Sequence, residues 1–144
     1  MGKPAVLKTA SLFLCVLVIA VGTGCNAGAD REEARKASAR VNAHLQSGDL
    51  GAIYKEATPA FREIGSETAF VTGLKSLLDR LGALKNAREL AYQTGWDSSL
   101  GTTHVFFFNL ECDDGRATER IVFGKSAAGK MELLRLEIQP TESR

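Results

Sequence analysis

Residues 103–125, "THVFFFNLECDDGRATERIVFGK", decide the fold. Over 103–112 the side chains alternate. His104, Phe106, Phe108, Leu110 and Cys112 share one face, and Val105, Phe107, Asn109 and Glu111 share the other. That two-residue period predicts a strand. Asp113-Asp114-Gly115-Arg116 follows, and its Asp-Gly pair is a hairpin signal. Residues 117–124 then form the returning strand. A second turn over 125–129 leads to a last strand at 130–139, with Leu134, Leu136 and Ile138 in one phase. Upstream, residues 84–94 are ambiguous by composition and are read as a further strand.

The segments before residue 84 have a different period. Ala34, Ala37, Val41 and Leu45 recur at helical spacing after Asp30 and Glu33, which resemble a capping box. Gly48 suits the position just past a helix end. Asp49 can cap a second helix carrying Leu50, Ile53, Tyr54 and Ala57. Thr58-Pro59 ends it, because a residue before proline avoids the α region. Ser66 opens a third helix with Phe70, Leu74, Leu77 and Leu81 on one stripe, and Gly82 closes it. Helices first and an antiparallel meander after them make an α+β domain of three helices and about four strands.

The front end is of another kind. Lys3 and Lys8 precede 16 uncharged residues, Thr9–Gly24. A membrane-spanning helix wants about 20 apolar residues, so this run is short. A basic start, a short apolar run and small residues at its exit describe a secretory signal. Gly22-Thr23-Gly24-Cys25 resembles the bacterial lipoprotein signal. The resemblance implies cleavage between Gly24 and Cys25 and acylation of Cys25. An ordinary signal peptide and an uncleaved anchor are the alternatives. Two or more acyl chains hold a protein stably at a bilayer, where one holds it marginally. Asn26 is not Asp, so the usual inner-membrane retention signal is absent. In a two-membrane bacterium the expected location is the outer membrane, facing the periplasm. The domain plan is then a signal at 1–24, a tether at 25–30, a domain at 31–139 and a tail at 140–144.

Charge narrows the partners. Two of the 18 basic residues lie in the leader and all 17 acids lie beyond it, so the exported chain carries a net charge of −1. A near-neutral domain has no electrostatic case for nucleic acid. Arg31, Glu32, Glu33, Arg35, Lys36 and Arg40 mix signs along one helix and read as a solvated face. With Cys25 lipidated, Cys112 is the lone thiol of the exported domain. It pairs between chains or, as we favour, packs as a small hydrophobe on the apolar phase of its strand. No Cys/His cluster has zinc spacing, His44 and His104 stand isolated, and no metal or cofactor is expected. Gly124-Lys125-Ser126 lacks the upstream glycine and the helix of a phosphate loop and reads as a turn.

The phrases "LQSGDLGAIYKEATPAF", "LLDRLGALKNAREL", "HVFFFNLEC", "TERIVFGK" and "GKMELLRLEI" resemble small exported bacterial domains of the nuclear-transport-factor-two-like (cystatin-like) superfamily. The likeness covers about residues 31–139. It implies a curved sheet wrapping the helices around a cone-shaped cavity, with Tyr54, Phe70, His104, Phe106 and Phe108 as candidate lining. Phe106 and Phe108 read first as core packing, and Phe107, if exposed, as a partner or dimer surface. Enzymes of this superfamily place an Asp or His and a Tyr in the cone. Tyr54, Tyr92, Asp79, His104 and Glu119 are the residues here of the right type. Asp79 beside Arg80 and Glu119 beside Arg120 read as solvated charge, and His104 as a surface or edge residue. No nucleophile, base and orienting group fall together. The expectation is a membrane-tethered, non-enzymatic binding or structural module whose partner is itself, a peptide or a small apolar ligand. A small isomerase or dehydratase and a plain secreted domain are the alternatives.

Overall fold

The computed structural model describes residues 26–141. Four helices, α1 (Asn26–Ser47), α2 (Leu50–Lys55), α3 (Pro59–Glu63) and α4 (Glu67–Leu81), precede four strands, β1 (Leu84–Asp97), β2 (Gly101–Cys112), β3 (Arg116–Lys125) and β4 (Met131–Thr141). The strands form one open antiparallel sheet in the order β1-β2-β3-β4. The α+β architecture and the helix-then-meander order agree with the sequence reading. Gly24, Cys25 and the expected signal segment lie outside the described residues.

Each helix follows from its residues. On α1, Ala34, Ala37, Val41 and Leu45 are buried, as their spacing predicts. The helix already begins at Asn26, inside the expected tether, so Asp30 is a helical residue and not a cap. Asp49 stands at the α2 N-cap position without a side-chain bond there. The sequence reading has three helices and the structure has four. α2 already ends at Lys55, ahead of Ala57, and Thr58-Pro59 instead starts α3, because Thr58 Oγ1 accepts from the Phe61 N–H at 3.2 Å and Pro59 suits the first turn. Ser66 caps α4 by accepting from the Ala69 N–H.

The strand boundaries also shift. β1 and β2 extend to a hairpin at Asp97–Gly101, and β4 continues to Thr141, into the expected tail. Gly101 takes φ +73°, and the Trp96 ring lies over it. Phe106, Phe108 and Leu110 on β2 register with Ile121, Glu119 and Ala117 on β3. All six are buried. A bulge leaves Leu134 without a partner, since Phe123 pairs with Leu133 and Val122 with Arg135. The bulge corrects the expected phase of β4. Leu133, Leu136 and Ile138 join the core, and Leu134 lines pockets at the strand edge.

The helices cover one face of this sheet. Phe106, Leu110, Ile121 and Leu133 are wholly buried there, together with Val41 and Ile53 from α1 and α2. The loop after α4 is pinned to the β2–β3 turn by Asp114 N–H donating to Leu81 O at 2.9 Å and Asp113 N–H donating to Ala83 O at 3.0 Å. On the other side, Ala57 makes a parallel bridge to Leu133 and plugs the start of the β4 edge.

Candidate functional site

Three oxygens under α1 stand out. Glu119 sits mid-strand on β3, between Phe108 on β2 and Ile138 on β4. Its neighbour Arg120 points to the opposite face and reaches Glu137 at 3.4 Å. Glu119 is therefore 0% exposed, which overturns its reading as solvated charge. Neither of its carboxyl oxygens accepts a hydrogen bond among the described residues, and neither does Asn42 Oδ1 on α1. Burial pushes the Glu119 carboxyl up to about 8, partly offset by the Asn42 amide. The Asn42 amide is near enough to favour the charged form, yet it makes no well-aligned bond to the carboxyl. At neutral pH the group is a carboxylic acid, and its proton can be given to Asn42 Oδ1.

Asn42 also lines an open groove of about 370 Å³ between α1 and β1. Ser38, Ala39, Ala43, Leu84 and Phe108 form its walls. At its mouth Arg35 Nη2 donates to Glu89 Oε1 at 2.9 Å and Nε donates to Oε2 at 3.2 Å. This bond and the Glu89 charge raise the Arg35 pKa, so the pair stays ionised. Ser38 is buried and satisfied locally, donating to Arg35 O at 2.8 Å.

A second polar group lies near the start of α1. His104 is 4% exposed, not at the surface as read, because β2 begins at Gly101, two residues earlier than expected. His104 Nδ1 and Tyr92 Oη are 2.9 Å apart. Burial lowers the His104 pKa, against the opposing pull of Asp30 and Glu33 and with help from Lys125. In the neutral ring the Tyr92 O–H donates to Nδ1. The Arg31 guanidinium stands 4.3 Å over the Tyr92 ring. Lys125 Nζ donates to Asp30 Oδ1 at 2.7 Å and lies 3.6 Å from Glu33.

The five expected lining residues separate into three places. His104 stands with Tyr92, and Phe106 lies between Tyr92 and Phe108 at centroid distances of 5.0 and 6.4 Å. Phe108 closes the α1–β1 groove. Tyr54 and Phe70 instead cluster with Phe61 around a pocket of about 350 Å³ beside β4. The Tyr54 O–H there is bonded to Gly65 O at 2.7 Å. Asp79 is exposed and paired with Lys75 at 3.0 Å, as solvated charge should be. Phe107 is half-buried on the sheet face away from the helices. Cys112 is half-buried against the core, and burial raises its pKa. His44 lies 3.6 Å from Glu56.

Sequence reasoning passed over Asn42 altogether. The signal that could have found it is the i, i+4 relation of Ser38 and Asn42 on the flank of the apolar stripe. Among the described residues no three His, Cys, Asp or Glu side chains gather as metal ligands. None of the described helices is long and apolar enough to cross a membrane. The chain matches no family model and none of the curated proteins with which it was compared.

Proposed function

We propose that this protein is a lipid-anchored module of the bacterial cell envelope that binds a small ligand in the groove between α1 and β1. The anchor rests on Gly22-Thr23-Gly24-Cys25 behind a short apolar run. Acylated Cys25 would fix the chain to a bilayer, with the α+β domain projecting into the periplasm of a two-membrane cell. The superfamily reading, with its cone-shaped sheet, rests on the order of helices and strands and is part of the same proposal.

One observation carries the binding role. Asn42 lines an open groove, and its Oδ1 and both carboxyl oxygens of the buried Glu119 lack hydrogen-bond partners among the described residues. Ligand sites combine apolar walls with a few unsatisfied polar groups in this way. Metabolic labelling with a palmitate analogue tests the anchor. Label should enter the wild type and be lost in Cys25→Ser, and an unlabelled wild type rejects lipidation.

The buried acid also favours a second reading, an isomerase or dehydratase in which Glu119 carries a proton. A carboxyl with a pKa near neutrality is suited to general acid–base work. Incubating the full lipoprotein with envelope extract in D2O separates the two. A binding module retains its ligand unaltered. An isomerase leaves deuterium in the product, and Glu119→Gln abolishes that incorporation.

A further inference from the structure

We propose that the α1–β1 groove takes the ammonium end of a linear aliphatic monoamine, which turns Asn42 aside and bonds to Glu119. The inference rests on the groove being the ligand site and names the chemistry it selects.

The orphaned atoms are all of one type. Asn42 Oδ1 and both Glu119 carboxyl oxygens have no hydrogen-bond partner among the described residues, and once Glu119 is ionised all three are acceptors. An ammonium group has three N–H donors and no acceptor. The groups packed around Glu119 offer no substitute. Asn42 faces it from α1, Phe108 from β2 and Ile138 from β4, and no charged side chain contributes to its shift. The nearest bases of the groove are engaged, Arg35 with Glu89 at 2.9 Å and Lys85 with Asp113 at 3.0 Å. A buried carboxylate needs a counter-charge, and the ligand would supply it.

The walls select the rest of the molecule. Ala39, Ala43, Leu84, Ala87 and Phe108 present carbon to a thin apolar stem. At the mouth Glu89 is already paired with Arg35 and Lys85 with Asp113, so no free carboxylate awaits a second ammonium and a monoamine is preferred over a diamine. No covalent bond of the ligand changes. The amine arrives as its ammonium ion, Glu119 gives its proton to solvent, and a buried ammonium–carboxylate pair remains. One ammonium ion bound thus releases one proton.

The test is calorimetric titration of the full lipoprotein in detergent with n-pentylamine at neutral pH. Phosphate and HEPES, whose ionisation enthalpies differ, serve as buffers. Saturable binding with close to one proton released per amine is expected. Glu119→Gln should weaken binding at least tenfold and abolish the release, and 1,5-diaminopentane should bind more weakly than pentylamine. Nα-acetyl-lysine N-methylamide in the same titration separates a lysyl side chain from a free amine as the source. Absence of pentylamine binding, or binding that ignores Glu119→Gln, overturns the proposal. If that variant does not fold, the ¹³C carboxyl resonance of wild-type Glu119 decides. A shift from acid to carboxylate on adding amine supports the proposal, and an unmoved resonance overturns it. Uncharged envelope ligands held in the groove after such a failure would leave the binding reading standing.

Discussion

Glu119 on β3 faces Asn42 on α1 across the middle of the domain, and the carboxyl oxygens of the first and the amide oxygen of the second lack partners among the described residues. A single proton held between them relieves both. Stability therefore depends on keeping that proton.

The sign follows from the direction of the shift. Folded Glu119 holds its proton up to about pH 8, against 4.5 for the solvated group of the unfolded chain. Between these values the native chain binds more protons than the unfolded one, so stability falls as pH rises, by at most about 1.4 kcal/mol per pH unit. It is fully present below the lower value and lost above the upper one. Glu119→Gln keeps the shape and cannot ionise. Urea unfolding of the variant should lose this slope and gain on the wild type at alkaline pH. A wild type whose stability is flat over that window contradicts the buried acid.

His104 works in the opposite direction. Its folded pKa lies below the reference 6.5, so the unfolded chain takes up the proton first. Stability is lost as pH falls from about that value toward the folded one. His104→Asn, which keeps an acceptor near Nδ1, should remove this acid-side loss. Tyr92→Phe should cost on the order of 1 kcal/mol at neutral pH, the usual net worth of one hydrogen bond. Denaturant midpoints across pH read both effects.

Phe106 is wholly enclosed and touches both Tyr92 and Phe108. Phe106→Ala should destabilise the domain by about 3–5 kcal/mol, from lost transfer energy and the void left behind. That is a large share of the roughly 5–15 kcal/mol typical of a domain. Thermal unfolding followed by circular dichroism should show a strongly lowered midpoint. A shift of a degree or two would mean that the core collapses around the hole.

Gly48 and Gly82 both take φ +77°, but their surroundings differ. A Cβ at Gly48 would meet nothing within 4 Å, and one at Gly82 would lie 2.9 Å from the Asp114 backbone nitrogen. Gly48→Ala should cost about 1 kcal/mol from backbone strain alone. Gly82→Ala should cost more, because it also pries α4 from the β2–β3 turn. Equal losses in chemical denaturation would show that the turn yields freely.

Much of the scaffold was legible, because two- and four-residue periods report directly on which side of an element is buried. The stripe from Ala34 to Leu45 and the alternation from His104 to Leu110 placed α1 and β2. The elements that escaped depend on neighbours distant in the chain. Thr58-Pro59 reads as an ending, but it is a beginning, capped by Thr58 and held by the packing of Phe61 against Tyr54 and Phe70. The bulge at Leu134 arises from pairing with β3 and leaves no local mark. The site was misread for a related reason. Charge next to charge, as in Glu119-Arg120, suggests solvent on a helix, but on a strand successive side chains face opposite ways. Asn42 escaped because one amide on a polar-rich helix carries no signal until the opposite strand is in place.

Trp96, the chain's single tryptophan, is 78% exposed beside the β1–β2 hairpin. Its indole is already hydrated in the native state, so its emission should be red-shifted from the outset and change little on denaturation. Intrinsic fluorescence would then be nearly blind to loss of the core, while the same ring would turn blue on contact with a bilayer or with another protein.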